Sequence, residues 1–162
     1  MKVKFLDLSK SNKSKIYRKN FDIFLRKGSL MFGKKTRELE SRIAKYTNTK
    51  YCIAVSSGTS ALYLAIKSLN LKSSDEIIVP AISWYSTFTA VIKCSAKVVV
   101  ADVDENLLLD ENDLRKLITK KTKAVVLVHF TGLLNNVLKI KKICKENKLI
   151  LIEDAAQAFG SL

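Results

Sequence analysis

One histidine and three scattered cysteines leave this chain little from which to build a metal centre or a disulfide framework. Cys52, Cys94 and Cys144 form no CxxC pair, and His129 has no second histidine to share a zinc ion with. Scattered thiols of this kind fit a reducing compartment. Proline occurs once, at Pro80, and the five glycines supply neither the GxGxxG of a dinucleotide site nor the Gly-Lys pair of a Walker loop. No uncharged apolar run approaches the roughly 18 residues of a membrane span. The start, Met1-Lys-Val-Lys-Phe-Leu-Asp-Leu, lacks the apolar stretch of a signal peptide. A cytoplasmic protein with no membrane partner is therefore expected.

Acidic residues are also few, 15 against 29 basic ones, for a formal charge of +14. Such a surplus first suggests nucleic acid. Against that, the basic residues are spread along the chain in short runs such as Lys120-Lys121 and Lys141-Lys142. They are mostly lysine, whereas arginine suits bidentate phosphate and base contacts. No zinc finger, RNA-binding aromatic signature or basic heptad helix is present. Solvated lysine faces explain the charge, no nucleic-acid partner is expected, and a phosphorylated small substrate would suit it.

What the chain does have is enough apolar material to bury a core: 48% of its 162 residues are hydrophobic. Helices are expected over Ser14–Arg26 and Thr36–Tyr46, the second with Leu39, Ile43 and Tyr46 on one stripe and a Glu38–Arg42 pair. From there strands and helices alternate. Strands are expected at Tyr51–Ser56, Glu76–Val79, Lys97–Val103, Ala124–His129 and Leu149–Glu153. Helices are expected at Thr59–Leu69, Ser86–Lys93, Glu111–Ile118 and Asn136–Glu146. Runs such as Val98-Val99-Val100 and Leu149-Ile150-Leu151-Ile152 read as strands covered on both faces. The fold class is α/β: three αβα layers around a mainly parallel sheet.

In such sheets ligands bind beyond the carboxyl ends of the strands. Three groups fall there. The turn Ser56-Ser57-Gly58-Thr59-Ser60 opens into a helix and reads equally as an N-cap or as a phosphate cradle, Gly58 allowing close approach and Thr59 and Ser60 adding hydroxyls. Trp84 follows the second strand; taken alone it suits the core better than a stacking role. Asp154 ends the last strand, where it could cap a helix or hold a protonated ring nitrogen, with Gln157 one turn on. His129 ends a strand without a partner in sequence, and a structural role is the expectation.

Taken in order, these segments resemble the DegT/DnrJ/StrS aminotransferases. Tyr51-Cys-Ile-Ala-Val-Ser-Ser-Gly-Thr-Ser-Ala-Leu-Tyr-Leu-Ala looks like that family's phosphate turn, and Asp75-Glu-Ile-Ile-Val-Pro-Ala-Ile-Ser-Trp like its next strand and stacking aromatic. Thr122-Lys-Ala-Val-Val-Leu-Val-His-Phe-Thr-Gly and Ile152-Glu-Asp-Ala-Ala-Gln-Ala-Phe-Gly are similar to its later blocks. The opening Phe5-Leu-Asp-Leu and the stretch from Phe32-Gly33 to Tyr46 fit as well.

The resemblance implies pyridoxal 5'-phosphate (PLP) on a fold type I scaffold. It implies transfer of an amino group from glutamate or a similar donor to a nucleotide-linked keto sugar, within nucleotide-sugar and polysaccharide biosynthesis. It implies that Gly58, Thr59 and Ser60 meet the phosphate, Trp84 stacks on the ring, Asp154 pairs with the ring nitrogen, and Gln157 bonds the ring hydroxyl or phosphate region. Residues 1–30 are expected as an N-terminal helical segment and 31–162 as the N-terminal part of the PLP-binding large domain.

A homodimer, or a C-terminal companion half, is the expected partner. The family's Schiff-base lysine is expected beyond Leu162, so no catalytic residue is assigned within the chain, and no metal ligand either. The fold would then be incomplete at its C-terminus, as in a truncated or split chain. Strand 51–56 would lack its neighbour, which lies late in the family's chain, and the isolated chain would be poorly stable or aggregation-prone. A sugar dehydratase of the same superfamily, with histidine for that lysine, and a non-catalytic remnant or interaction module are the alternatives.

Overall fold

The computed structural model describes residues 14–28 and 33–161. The motif residues 5–8 and Phe32 lie outside them. The chain divides between Ala54 and Val55 into two compact units.

The first unit carries α1 (Ser14–Lys27) and α2 (Lys34–Tyr46). In α2 the expected stripe stays largely uncovered, since Leu39 and Tyr46 are exposed. Glu38 pairs with Lys35 at 2.8 Å, one turn back, rather than with Arg42. That hydrogen bond from Lys35 holds the Glu38 carboxyl below its ordinary range, with Lys34 and Arg42 adding to the effect at longer reach.

In the second unit the elements run α3 (Gly58–Lys67), β1 (Glu76–Pro80), α4 (Tyr85–Lys93), β2 (Lys97–Ala101), α5 (Glu111–Leu117), β3 (Thr122–Val128), a 3-10 turn (Phe130–Gly132), α6 (Val137–Glu146) and β4 (Ile150–Asp154). Side-chain caps start three of the helices: Ser57 accepts from Ser60 N–H, Asp110 from Asn112 and Asp113 N–H, and Asn136 from Lys139 N–H. The sheet order is β2-β1-β3-β4, and every pairing is parallel.

Because successive strand residues face opposite ways, the sheet feeds two cores. Ile77, Val79, Ala124 and Val126 meet Leu62 and Ile66 of α3 and Ala90 and Val91 of α4. Ile78, Val125 and Leu127 meet Leu114 of α5 and Ile140 and Ile143 of α6. The three-layer expectation is realised in this arrangement, and each fully buried aliphatic side chain contributes about 1.5–3 kcal/mol.

The strand expected at Tyr51–Ser56 is not one. A strand is held by its neighbour's backbone, and no described residue pairs with this segment. Tyr51 and Ile53 are 74% and 79% exposed, and the Ala54 N–H donates instead to Glu40 Oε1 at 2.8 Å. The sheet thus has four strands where the sequence suggests five.

Burial also separates the thiols. Desolvation pushes Cys144 and Cys94 above the ordinary thiol range, Lys67 offsetting part of the effect at Cys94. Since the thiolate is the reactive species, Cys52, which is only half-buried, should react with a thiol reagent about tenfold or more faster than the other two. Timed alkylation with peptide mapping checks this; uniform labelling would show that the second unit opens readily.

Candidate functional site

Parallel pairing aligns the strand ends. Pro80 pairs with Ala101 and Val128 with Asp154, so the segments after all four strands leave from one edge. The C-terminus of α3 feeds the start of β1, and Leu62 and Ile66 lie along the same core as that strand. The N-terminus of α3 lies against α4, where Thr59 and Ser60 border a groove with Thr89, Ala90 and Lys93.

There the first turn is polar and partly unspent. Ser60 N–H donates to Ser57 Oγ at 3.1 Å and Ala61 N–H to the Ser57 carbonyl at 3.0 Å. The N–H groups of Gly58 and Thr59 have no acceptor among the described residues. Ser60 Oγ lies 3.0 Å from Ser57 Oγ and 3.1 Å from Ser56 Oγ. A Cβ built on Gly58 would meet nothing within 4 Å, so the space above the turn is open. Unpaired N–H groups, nearby hydroxyls and open space are what a phosphate group requires.

Trp84 is the N-cap of α4 and 67% exposed, which removes the core role that its residue type suggested. Ser86, Thr87, Ala90 and Val91 take the inner face of that helix, leaving Trp84 outside with its ring 5.6 Å from that of Tyr85. Asp154 ends β4 half-buried. Its Oδ1 accepts from Ala156 N–H at 3.0 Å, while Oδ2 has no partner among the described residues. Gln157 Oε1 accepts from Thr131 N–H at 2.6 Å, so the amide NH2 is the group left to donate.

A cavity of about 400 Å³ lies between α3 and α4, lined by Thr59, Ser60, Tyr63, Thr89, Ala90 and Lys93. Trp84, Asp154 and Gln157 do not line it. Trp84, Asp154 and Gln157 follow strand ends on one edge of the sheet, while Thr59 and Ser60 border this groove beside Thr89, Ala90 and Lys93 of α4.

Sequence reasoning missed a buried polar cluster behind the edge. His129 is 3% exposed; its Nδ1 accepts from Asn135 N–H at 3.3 Å, and its Nε2 lies 3.3 Å from Glu153 Oε2. Asn135 donates to the Val128 carbonyl at 2.7 Å and accepts from Leu109 N–H at 3.0 Å. An Asn-Asn pair just after a buried strand was the available signal. Thr131 and Gly132 adopt φ values of 55° and 88°, and a Cβ at Gly132 would press to 3.2 Å from the Gln157 carbonyl, so glycine is needed there.

An all-parallel αβα sheet with polar groups gathered beyond its strand ends is the arrangement of α/β proteins that bind ligands at that edge. The DegT/DnrJ/EryC1/StrS aminotransferase family matches residues 12–162, and the chain belongs to that family. A GDP-perosamine synthase of Vibrio cholerae is 35% identical over 130 residues, covering 80% of this chain and 35% of its own length. The structure of S. venezuelae DesV is 30% identical with a TM-score of 0.87, over 98% of this chain and 43% of that one. A GDP-4-keto-6-deoxymannose-3-dehydratase holding a trapped PLP-glutamate geminal diamine is 35% identical with a TM-score of 0.76, over 80% and 36%. The fold is that of the PLP-dependent fold type I enzymes. The chain spans about a third to under half of the length of the curated relatives it matches. Among the described residues no helix is long and apolar enough to cross a membrane.

Proposed function

We propose that this chain supplies one side of a PLP site in a cytoplasmic enzyme that moves an amino group from glutamate or a similar donor onto a nucleotide-linked keto sugar. Residues 31–162 form the N-terminal part of its PLP-binding domain, and a second copy or a C-terminal companion completes it. What supports this best is that the groups the reading needs are unspent: among the described residues the Gly58 and Thr59 N–H groups have no acceptor, and Asp154 Oδ2 has no donor.

When bound, PLP supplies the electron sink for the carbon that loses or gains the amino group. The chain's own residues hold it. Gly58 and Thr59 N–H and the hydroxyls of Thr59 and Ser60 take the phosphate. Trp84 offers a flat face for the ring. Asp154 Oδ2 keeps the ring nitrogen protonated, because an adjacent anion favours the charged form. The Gln157 NH2 donates to the ring hydroxyl or phosphate region.

Titration with PLP, followed by quenching of the sole tryptophan, tests the site. Thr59→Val, which removes one hydroxyl donor to a dianion, should weaken binding by about tenfold, or roughly 1.5 kcal/mol. Unchanged affinity would remove the phosphate role of the turn. The likeness to the dehydratase supports dehydration as a second reading. Borohydride separates the two in the full-length protein: a transaminase fixes the cofactor to one lysine, whereas a dehydratase with histidine at that place does not.

A further inference from the structure

The sole histidine is tied to both strands that meet at the candidate cofactor edge. Its backbone N–H donates to the Asp154 carbonyl at 3.1 Å, extending the β3–β4 ladder by one bond. Its ring is gripped from two sides. The Asn135 backbone N–H can only donate, so Nδ1 is the unprotonated nitrogen and Nε2 carries the proton toward Glu153 Oε2. Glu153 immediately precedes Asp154. Asn135 is anchored in turn by Val128 and Leu109, and both His129 and Asn135 are buried. Two residues on, Thr131 N–H fixes the Gln157 side chain, and Ser161 Oγ donates to the Gly132 carbonyl at 3.2 Å.

We infer that His129, locked by Asn135, is a positioning residue that sets where the Asp154 carboxylate and the Gln157 amide stand relative to a bound pyridine ring. The inference rests on the cofactor reading above. A half-buried carboxylate on an edge strand would otherwise sway with the end of β4. Fixing both the backbone of Asp154 and the side chain before it limits that motion, and a site held loosely by even about 1 Å loses much of its effect. Both nitrogens of the His129 imidazole are already engaged by Asn135 and Glu153, so its effect runs through Asp154 and Gln157.

The test uses the full chain and pyridoxamine phosphate labelled with ¹⁵N in the ring, a ligand that needs no Schiff-base lysine. Trp84 quenching reports affinity, and the ¹⁵N shift reports ring protonation in the bound molecules. Wild type should bind with a protonated ring nitrogen. His129→Leu should bind about tenfold more weakly, with its shift moved toward the neutral ring. His129→Asn, which can still accept from Asn135 N–H, should recover part of both. Asn135→Asp, which keeps the acceptor for Leu109 N–H but loses the donor to Val128, should fall between.

If His129→Leu does not fold, the two milder variants decide by themselves. Wild-type affinity and an unchanged ¹⁵N shift in the variants that fold, even with lowered melting temperatures, would leave His129 a merely structural residue and overturn the inference. Absence of quenching in wild type would overturn the cofactor reading and this inference together, and that result is visible before any variant is made.

Discussion

Asp154→Asn should weaken PLP binding by about thirtyfold, the equivalent of roughly 2 kcal/mol for a charge-assisted hydrogen bond lost at a half-buried site. The amide keeps the size of the carboxylate and can still accept a hydrogen bond, but it carries no charge to hold a proton on the ring nitrogen. The larger consequence is therefore electronic. An amino-transfer assay of the completed enzyme should fall further than affinity does, since a neutral ring withdraws electrons poorly. Glu146→Gln, which removes an exposed partner of Arg115 at 3.5 Å, serves as the control and should change neither reading. Equal binding by Asp154→Asn and wild type would detach the end of β4 from the cofactor and leave the carboxylate as the cap of Ala156 N–H alone.

The second large effect concerns the free flank of β4. This strand pairs with β3 on one side and with no described residue on the other, and Ile150 is 51% exposed. An apolar strand with unpaired backbone groups templates further pairing. The 162-residue chain by itself should accordingly self-associate on concentration, and the uncovered Tyr51 and Ile53 should add to the tendency. Ile150→Lys should raise the concentration at which this begins by roughly tenfold, because a charged edge residue opposes strand addition. Light scattering across a dilution series checks it. A wild-type chain that stays monomeric at high concentration and unfolds in one reversible transition would contradict the expectation.

Most of the second unit could be read from the residues. Val98-Val99-Val100 and the run at 149–152 announced strands, but not strands covered on both faces: β2 and β4 lie at the ends of the sheet order, and Val100 and Ile150 are 49% and 51% exposed. Helices were expected close to where α3, α5 and α6 run, and the structure shows Ser57, Asp110 and Asn136 capping them. Where the reading failed, the missing information was a neighbour. Segment 51–56 has the composition of a strand, but pairing is a property of two segments, and no described residue offers the second. Glu38 had cations within reach on both sides of its helix, and i,i+4 spacing could not say that Lys35 would take it.

The site divides in the same way. Local groups such as the Ser57–Ser60 turn were legible because a short sequence closes on itself. Trp84 was ambiguous until the inner face of α4 was seen to be filled by Ser86, Thr87, Ala90 and Val91. The cluster of His129, Asn135 and Glu153 joins residues up to 24 positions apart and follows no periodic rule, so only the packed strands bring it into view.

The uniform direction of the strands has one more consequence. α4, α5 and α6 each follow a strand end, so their N-terminal partial charges face one side, that of α5 being offset by the carboxylates of Asp110, Glu111 and Asp113. On a chain of formal charge +14 these fields add. Diffusing phosphorylated small molecules should accordingly be drawn to that side before any specific contact forms, with a pull that fades as ionic strength rises.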